Sequence, residues 1–203
     1  MNFVDIAGLV EGASQGEGLG NKFLANIRET DAIIYVLRCF ENDDITHVSG
    51  KVDPIADFEV VETELMLADM ESLEKRKAGV VKKANSGDKE AKAQVALIDL
   101  ALAELNEGRP ARRAVVSKDD TKAWNMLQLL TSKPVLFVAN VDENSAATGN
   151  EYSSRVEARA TEEGAACVVI SAQIEAELAL LDEPDRSEYL ETLGLEEPGL
   201  TRL

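Results

Sequence analysis

Apolar residues along this chain follow two rhythms: short unbroken runs, and longer stretches with helical spacing. Ala32 to Phe40 (AIIYVLRCF), Pro134 to Ala139 (PVLFVA) and Cys167 to Ile170 (CVVI) are brief runs rich in β-branched and aromatic residues. That is the pattern of strands buried on both faces. A still shorter pair, Phe3-Val4, predicts a strand with Asp5 at its end. Gly20 to Thr30 carries apolar residues at Phe23, Leu24 and Ile27, which is helical spacing. Residues 152 to 163 are helical again, and Gln173 to Gly194 predicts two acidic amphipathic helices.

Between the first two long runs the character changes. From Glu59 to about Lys83 the residues are strong helix formers, with apolar positions at Val61, Leu65, Met66, Ala68, Met70 and Leu73. Asn85-Ser86-Gly87-Asp88 is a turn signal. A second helix then places Ala91, Val95, Ile98, Leu102 and Leu105 at spacings of 4, 3, 4 and 3, a heptad seam. Two such helices joined by a short turn predict an antiparallel helical hairpin, or coiled coil, ending at Gly108-Arg109-Pro110. Ser117 to Asp120 resembles a capping signal for a helix running to about Leu130. Strands alternating with helices on either side of a helical insertion predict an α/β fold with a mostly parallel sheet.

Composition narrows the function classes. The 203 residues suffice for one core with a smaller appended module. A balance of 21 basic against 38 acidic residues, net −17, argues against broad nonspecific binding to a phosphate backbone and against sequence-specific DNA binding. A local basic patch remains at Lys75, Arg76, Lys77, Lys82 and Lys83. Two distant cysteines, Cys39 and Cys167, lack metal-ligand spacing and predict buried free thiols in a reducing compartment. The single histidine, His47, builds no histidine-based metal site. No apolar run reaches the roughly 18 residues a membrane helix needs, and no signal peptide opens the chain, so a cytoplasmic protein without membrane contact is expected.

The chemistry is concentrated in DIAGLVEGASQGEGLGNKFL, residues 5 to 24. An acid at a strand end followed by x-x-Gly lets a carboxylate hold Mg²⁺ through water while a backbone N–H approaches a phosphate oxygen. Alone, D-x-x-G recurs by chance, and a Gly-rich loop is often only a connector. The whole string, however, resembles the Obg-related nucleotide hydrolases, above all the Obg-like (YchF-type) ATPases. The resemblance implies a Ras-like P-loop domain with Asp5 on Mg²⁺ and Gly8 on the γ-phosphate. Leu9 stands where Ras-like enzymes have the water-orienting glutamine. It implies slow intrinsic turnover, raised by a partner or by K⁺.

Asn140-Val141-Asp142-Glu143 follows the second long apolar run. On residue type alone these are a strand-ending amide and solvated acids. In position they correspond to the N-K-x-D of GTP hydrolases, with valine for lysine and a longer carboxylate for aspartate, changes that spoil guanine readout. The same N-x-x-E departure marks the Obg-like ATPases. By that resemblance Asn140, Val141 and Glu143 line a pocket preferring ATP over GTP. Ser171-Ala172 matches the S-A-x element that supports the base.

The resemblance covers the chain, yet the chain corresponds to the middle of the family. No G-x-x-x-x-G-K-[ST] string occurs, and Gly50-Lys51 is followed by Val52. In the family the phosphate loop and its strand precede the position of Asp5, and a ubiquitin-like (TGS) domain follows that of Leu203. A truncated gene model or an engineered fragment is expected. Such a fragment, deprived of a central strand, should fold poorly and bind Mg·ATP weakly or not at all. The expected organisation is 1–58 for the Mg²⁺ and γ-phosphate segment, 59–113 for the hairpin, and 114–203 for base recognition. The implied function is Mg²⁺-dependent ATP hydrolysis coupled to a ribosome or ribosomal subunit. The alternative is a non-catalytic module that docks such a partner through its hairpin.

Overall fold

The structure, a computed structural model, describes residues 2–6, 19–42 and 51–202. These fold as two compact units. One comprises the described residues up to Asp31 together with Glu59–Pro134, the other Ala32–Phe58 with Val135–Leu203.

The second unit holds the sheet. Three strands, β1 (Ile33–Arg38), β2 (Val135–Asn140) and β3 (Ala166–Ile170), lie side by side in that order. Both pairings are parallel, with Ile33 opposite Val135 and Leu136 opposite Ala166. All three long apolar runs are therefore strands, within a residue or two of their expected limits. The central strand is the most deeply buried, at Phe137, Val138 and Ala139. Tyr35, Phe58 and Phe137 form an aromatic cluster with centroids 4.9 to 5.6 Å apart, and the Arg159 guanidinium lies 5.1 Å from the Phe58 ring. Such pairs add about 0.5–1.5 kcal/mol each beyond area burial.

Residues 2–6 form no strand, contrary to expectation. Phe3 and Val4 are 67% and 55% exposed, and among the described residues the sheet order is β1-β2-β3, without residues 2–6. An extended segment becomes a strand only with a ladder partner.

The first unit is helical. It contains α1 (Leu19–Arg28), most of α2 (Pro54–Asn85), α3 (Lys89–Asn106) and the short α4 (Thr121–Asn125). The turn between α2 and α3 puts Gly87 at φ 99°, a left-handed conformation in which glycine meets no steric penalty. The Asp88 carboxylate caps α3 by accepting from Ala91 N at 2.9 Å. Lys77 and Asp99 pair across the two helices at 2.6 Å, which makes the hairpin antiparallel as expected. The buried face departs from the expected heptad seam, of which Val95 and Leu102 are only half-buried. Leu97 and Ala101 join Ala91, Ile98 and Leu105, and the cluster extends to Leu73, Ala111, Trp124, Leu127 and Leu129.

That extension corrects the helix expected over 117–130. Helix α4 ends at Asn125, Ser117 and Asp120 bond each other rather than capping it, and Gln128 takes φ 53°. The competing interaction is long-range. Asp69 on α2 is fully buried and accepts from Leu130 N (2.9 Å), Thr131 N (2.8 Å) and Thr131 Oγ1 (2.8 Å). Thr131 Oγ1 in turn accepts from Ala111 N at 3.1 Å. A buried ion pair, Glu62 to Arg112 at 2.6 Å, ties α2 to the same turn. Burial pushes the Asp69 carboxyl above its usual range, opposed by these hydrogen bonds and by the charge of Arg28. Lys133 donates to the Arg28 and Thr30 carbonyls at the end of α1, and burial holds its ammonium below the ordinary lysine range.

Removing the Asp69 acceptor leaves two buried backbone donors unmatched, which costs far more than an average hydrogen bond. Asp69→Ala should lower unfolding free energy by about 3 kcal/mol, read as a fall in the urea midpoint. A change under about 0.5 kcal/mol would show that the carboxylate does not organise the 111–131 segment.

Candidate functional site at the strand ends

The carboxyl ends of parallel strands gather the polar groups of the sheet unit, because each strand there hands over to a loop. Asn140 is the last residue of β2. Its carbonyl accepts from Cys39 N at 2.7 Å, and its side-chain Oδ1 accepts from Ala172 N at 2.9 Å. One amide thus spans from the end of β2 to the residue that starts the next helix. Val141 continues outward with its N–H on the Ile170 carbonyl at 2.8 Å and its side chain 2% exposed. It can therefore meet a ligand with backbone only.

Ser171 caps α6 (Ala172–Leu178), its buried hydroxyl accepting from Ile174 N at 3.5 Å. The two acids after Val141 differ in occupation. Asp142 accepts from Ser145 N at 3.0 Å and Ser145 Oγ at 3.2 Å, capping a short 3₁₀ turn, Glu143–Ser145. Glu143 opens that turn, half-buried. Tyr189 on α7 (Glu183–Thr192) donates to Glu177, and its hydroxyl is pushed up to about 12 by that bond first, then by burial, with Glu177 and Glu143 adding smaller effects.

Asn140, Val141, Ser171 and Ala172 are thus brought together through hydrogen bonds, with Glu143 two residues beyond Val141. Asp5 lies in the other unit, exposed and in irregular backbone. Gly8 and Leu9 fall outside the described residues.

One residue the sequence reading passed over belongs to this rim. Asn150 caps α5 (Glu151–Glu163) in a capping box with Ser153, and its Nδ2 donates to the Cys39 carbonyl at 2.7 Å. The N-x-x-S spacing after a glycine was the available signal, since Asn at such a position starts helices. Cys39 itself is fully buried and Cys167 half-buried, both as free thiols. Burial pushes them up to about 12 and about 11, with each other's proximity and Glu157 adding respectively.

No group of three or more His, Cys, Asp or Glu among the described residues is placed to hold a metal. One exposed carboxylate, Asp5, fits a different mode, in which Mg²⁺ keeps most of its waters and takes one or two carboxylates plus phosphate oxygens.

This parallel α/β sheet, with polar residues at the strand ends and a helical hairpin between β1 and β2, matches the fold of a P-loop GTPase whose structure is solved. A family model described as 50S ribosome-binding GTPase matches residues 1–68. The structure of the Schizosaccharomyces pombe YchF GTPase superposes with a TM-score of 0.79 at 34% identity, covering 94% of this chain and 53% of that one. The chain is 51% identical to the ribosome-binding ATPase YchF of Haemophilus ducreyi and 50% to that of Escherichia coli O157:H7, over all 203 residues in each case. It is 47% identical to that of Bacillus subtilis over 99% of its length. The resemblance to the Obg-like, YchF-type ATPases therefore extends along the whole of this sequence. The chain spans 56% of the length of each of these relatives.

If Asn140 holds the two loops together, Asn140→Ala should leave the Ala172 amide without its side-chain acceptor. The expected cost is about 1–2 kcal/mol, with hydrogen exchange at Ala172 N–H faster by about tenfold. Unchanged protection at Ala172 would remove Asn140 from that role.

Proposed function

We propose that these residues supply the base-recognition and Mg²⁺/γ-phosphate segments of an ATPase that works with the ribosome in the cytoplasm. The observation that carries the reading is the Asn140–Ala172 hydrogen bond, which joins the N-x-x-E and S-A elements at the strand ends. Backbone at Val141 faces adenine, while Ser171 and Ala172 support the base from the neighbouring loop. Both oxygens of Asp142 accept from Ser145, which fixes that carboxylate at the turn, and Glu143 is the acid that the N-x-x-E correspondence assigns to the base. Its longer side chain disfavours the two-point bond that guanine needs.

Asp5 would hold Mg²⁺ through a water, and Gly8, which lies outside the described residues, would offer its N–H to the γ-phosphate. Mg²⁺, when bound with the nucleotide, neutralises charge on the phosphates. Leu9 cannot orient the attacking water, so turnover is slow unless a ribosomal partner or K⁺ assists. GTP is the secondary substrate. Ribosome binding comes from the relatives' names and from the hairpin, which has the form of a docking arm.

A second reading, a non-catalytic docking module, is favoured by the hydrophobic cluster the helical unit builds for itself. Nucleotide-independent binding to ribosomal subunits, with no ATP turnover by the full-length protein, would select it.

In competition for the full-length protein, ATP should win over GTP, and Glu143→Asp should shift the ratio towards GTP by about tenfold. GTP winning in the unmodified protein refutes the base assignment. The 203 residues alone carry no G-x-x-x-x-G-K-[ST] string and should bind Mg·ATP only weakly. Isothermal titration with affinity in the micromolar range would overturn that expectation.

A further inference from the structure

Charge is segregated along the hairpin. From Pro54 to Glu74, α2 carries seven acidic residues and no basic one, and every lysine or arginine on it comes from Lys75 onward. The arm is about 48 Å long at 1.5 Å per residue, so one end is negative and the other positive. The basic patch marked in the sequence is not uniform. Lys75 pairs with Glu71 at 2.5 Å, Lys77 pairs with Asp99 at 2.6 Å, and Arg76 donates to the Leu127 carbonyl at 2.8 Å. These three are engaged within their own unit.

The turn itself differs. Lys82 and Lys83 end α2, Lys89 and Lys92 begin α3, and all four are exposed. No ion pair among the described residues involves any of them. The Lys83 carbonyl accepts from Asp88 N at 3.2 Å, so the two pairs sit on adjoining turns of chain. Of the two acids there, Asp88 is occupied in capping α3. Lys89 stands in the first turn of α3, where the helix dipole disfavours a cation. Like charges this close also repel. Glu90 in the same turn offsets part of this, and residues 82–92 still carry four lysines against two acids.

We propose that Lys82, Lys83, Lys89 and Lys92 at the hairpin turn bind the phosphate backbone of RNA, independently of sequence. Lysine is a compact, mobile point charge suited to phosphates. Residues 79–95 present none of the exposed large apolar side chains that anchor protein partners. The acidic stretch behind the turn orients the arm tip-first towards a polyanion. The proposal rests on the ribosome-directed reading above and names ribosomal RNA, not ribosomal protein, as what the arm touches.

The test uses the full-length protein with Lys82, Lys83, Lys89 and Lys92 all changed to glutamine. A Lys75→Gln/Lys77→Gln protein is the control, and circular dichroism confirms helicity in both. Binding to ribosomal subunits and to protein-free ribosomal RNA is measured from about 50 to about 200 mM salt. The turn variant should lose at least about tenfold in RNA affinity, and its log–log salt slope should fall by about 3, near 0.7–0.9 per phosphate contact. The control should change less than about twofold. Equal affinity and slope for the turn variant and the unmodified protein would overturn the proposal. So would subunit binding that depends on the four lysines while protein-free RNA is not bound, since that places a protein at the turn. If the unmodified protein binds RNA through the turn but binds no subunit, the proposal stands and the ribosome-directed reading falls.

Discussion

Parallel pairing is the constraint on which this structure depends. Two strands that run the same way cannot be joined by a tight turn, so the chain must cross back to the starting end of the sheet. Between β2 and β3 it does so economically, through α5. Between β1 and β2 it takes residues 39 to 134, and the whole helical hairpin is spent within that connection. The same geometry brings the last residue of each strand to one end of the sheet. Asn140 and Ser171 are neighbours for that reason, although 30 residues intervene in sequence.

Parallel strands tend to be written as unbroken apolar runs, so β1, β2 and β3 were legible at once, although burial is deepest in β2 and Val36 of β1 is 63% exposed. The hairpin was legible too, because its periodicity and its Ser86-Gly87-Asp88 turn are local signals. The stretch from Ser117 to Leu130 was not. Its local chemistry resembles a capped helix, yet the amides of Leu130 and Thr131 are claimed by Asp69, some 60 residues earlier in the chain. A buried carboxylate with three donors outweighs the small preference of a few residues for helix. Phe3-Val4 shows the converse: strand propensity without a ladder partner leaves irregular, exposed backbone.

The candidate site was legible as motifs but not as a mechanism of assembly. Asn140 and Ser171 each do a structural task, one bridging to Ala172 N and the other capping α6. Short motifs of this type thus carry a structural signal as well as the function proposed for them. The difference between Asp142 and Glu143 could not be seen in sequence, where both are acids; it appears only when Ser145 occupies the first. Asn150 was overlooked because its capping role is local, whereas its bond to the Cys39 carbonyl is not.

Net charge is a poor summary of this chain. A total of −17 argues against nonspecific adhesion to nucleic acid, and over most of the surface that argument holds. Yet screening confines electrostatics to about 10 Å at ordinary ionic strength, far less than the length of α2. Over such distances a partner at the hairpin turn feels Lys82, Lys83, Lys89 and Lys92, not the sum. The surrounding acidity then becomes an asset. It disfavours the approach of a polyanion along the acidic stretch of α2 from Pro54 to Glu74, so that in the proposed contact the turn is the end of the hairpin presented to it.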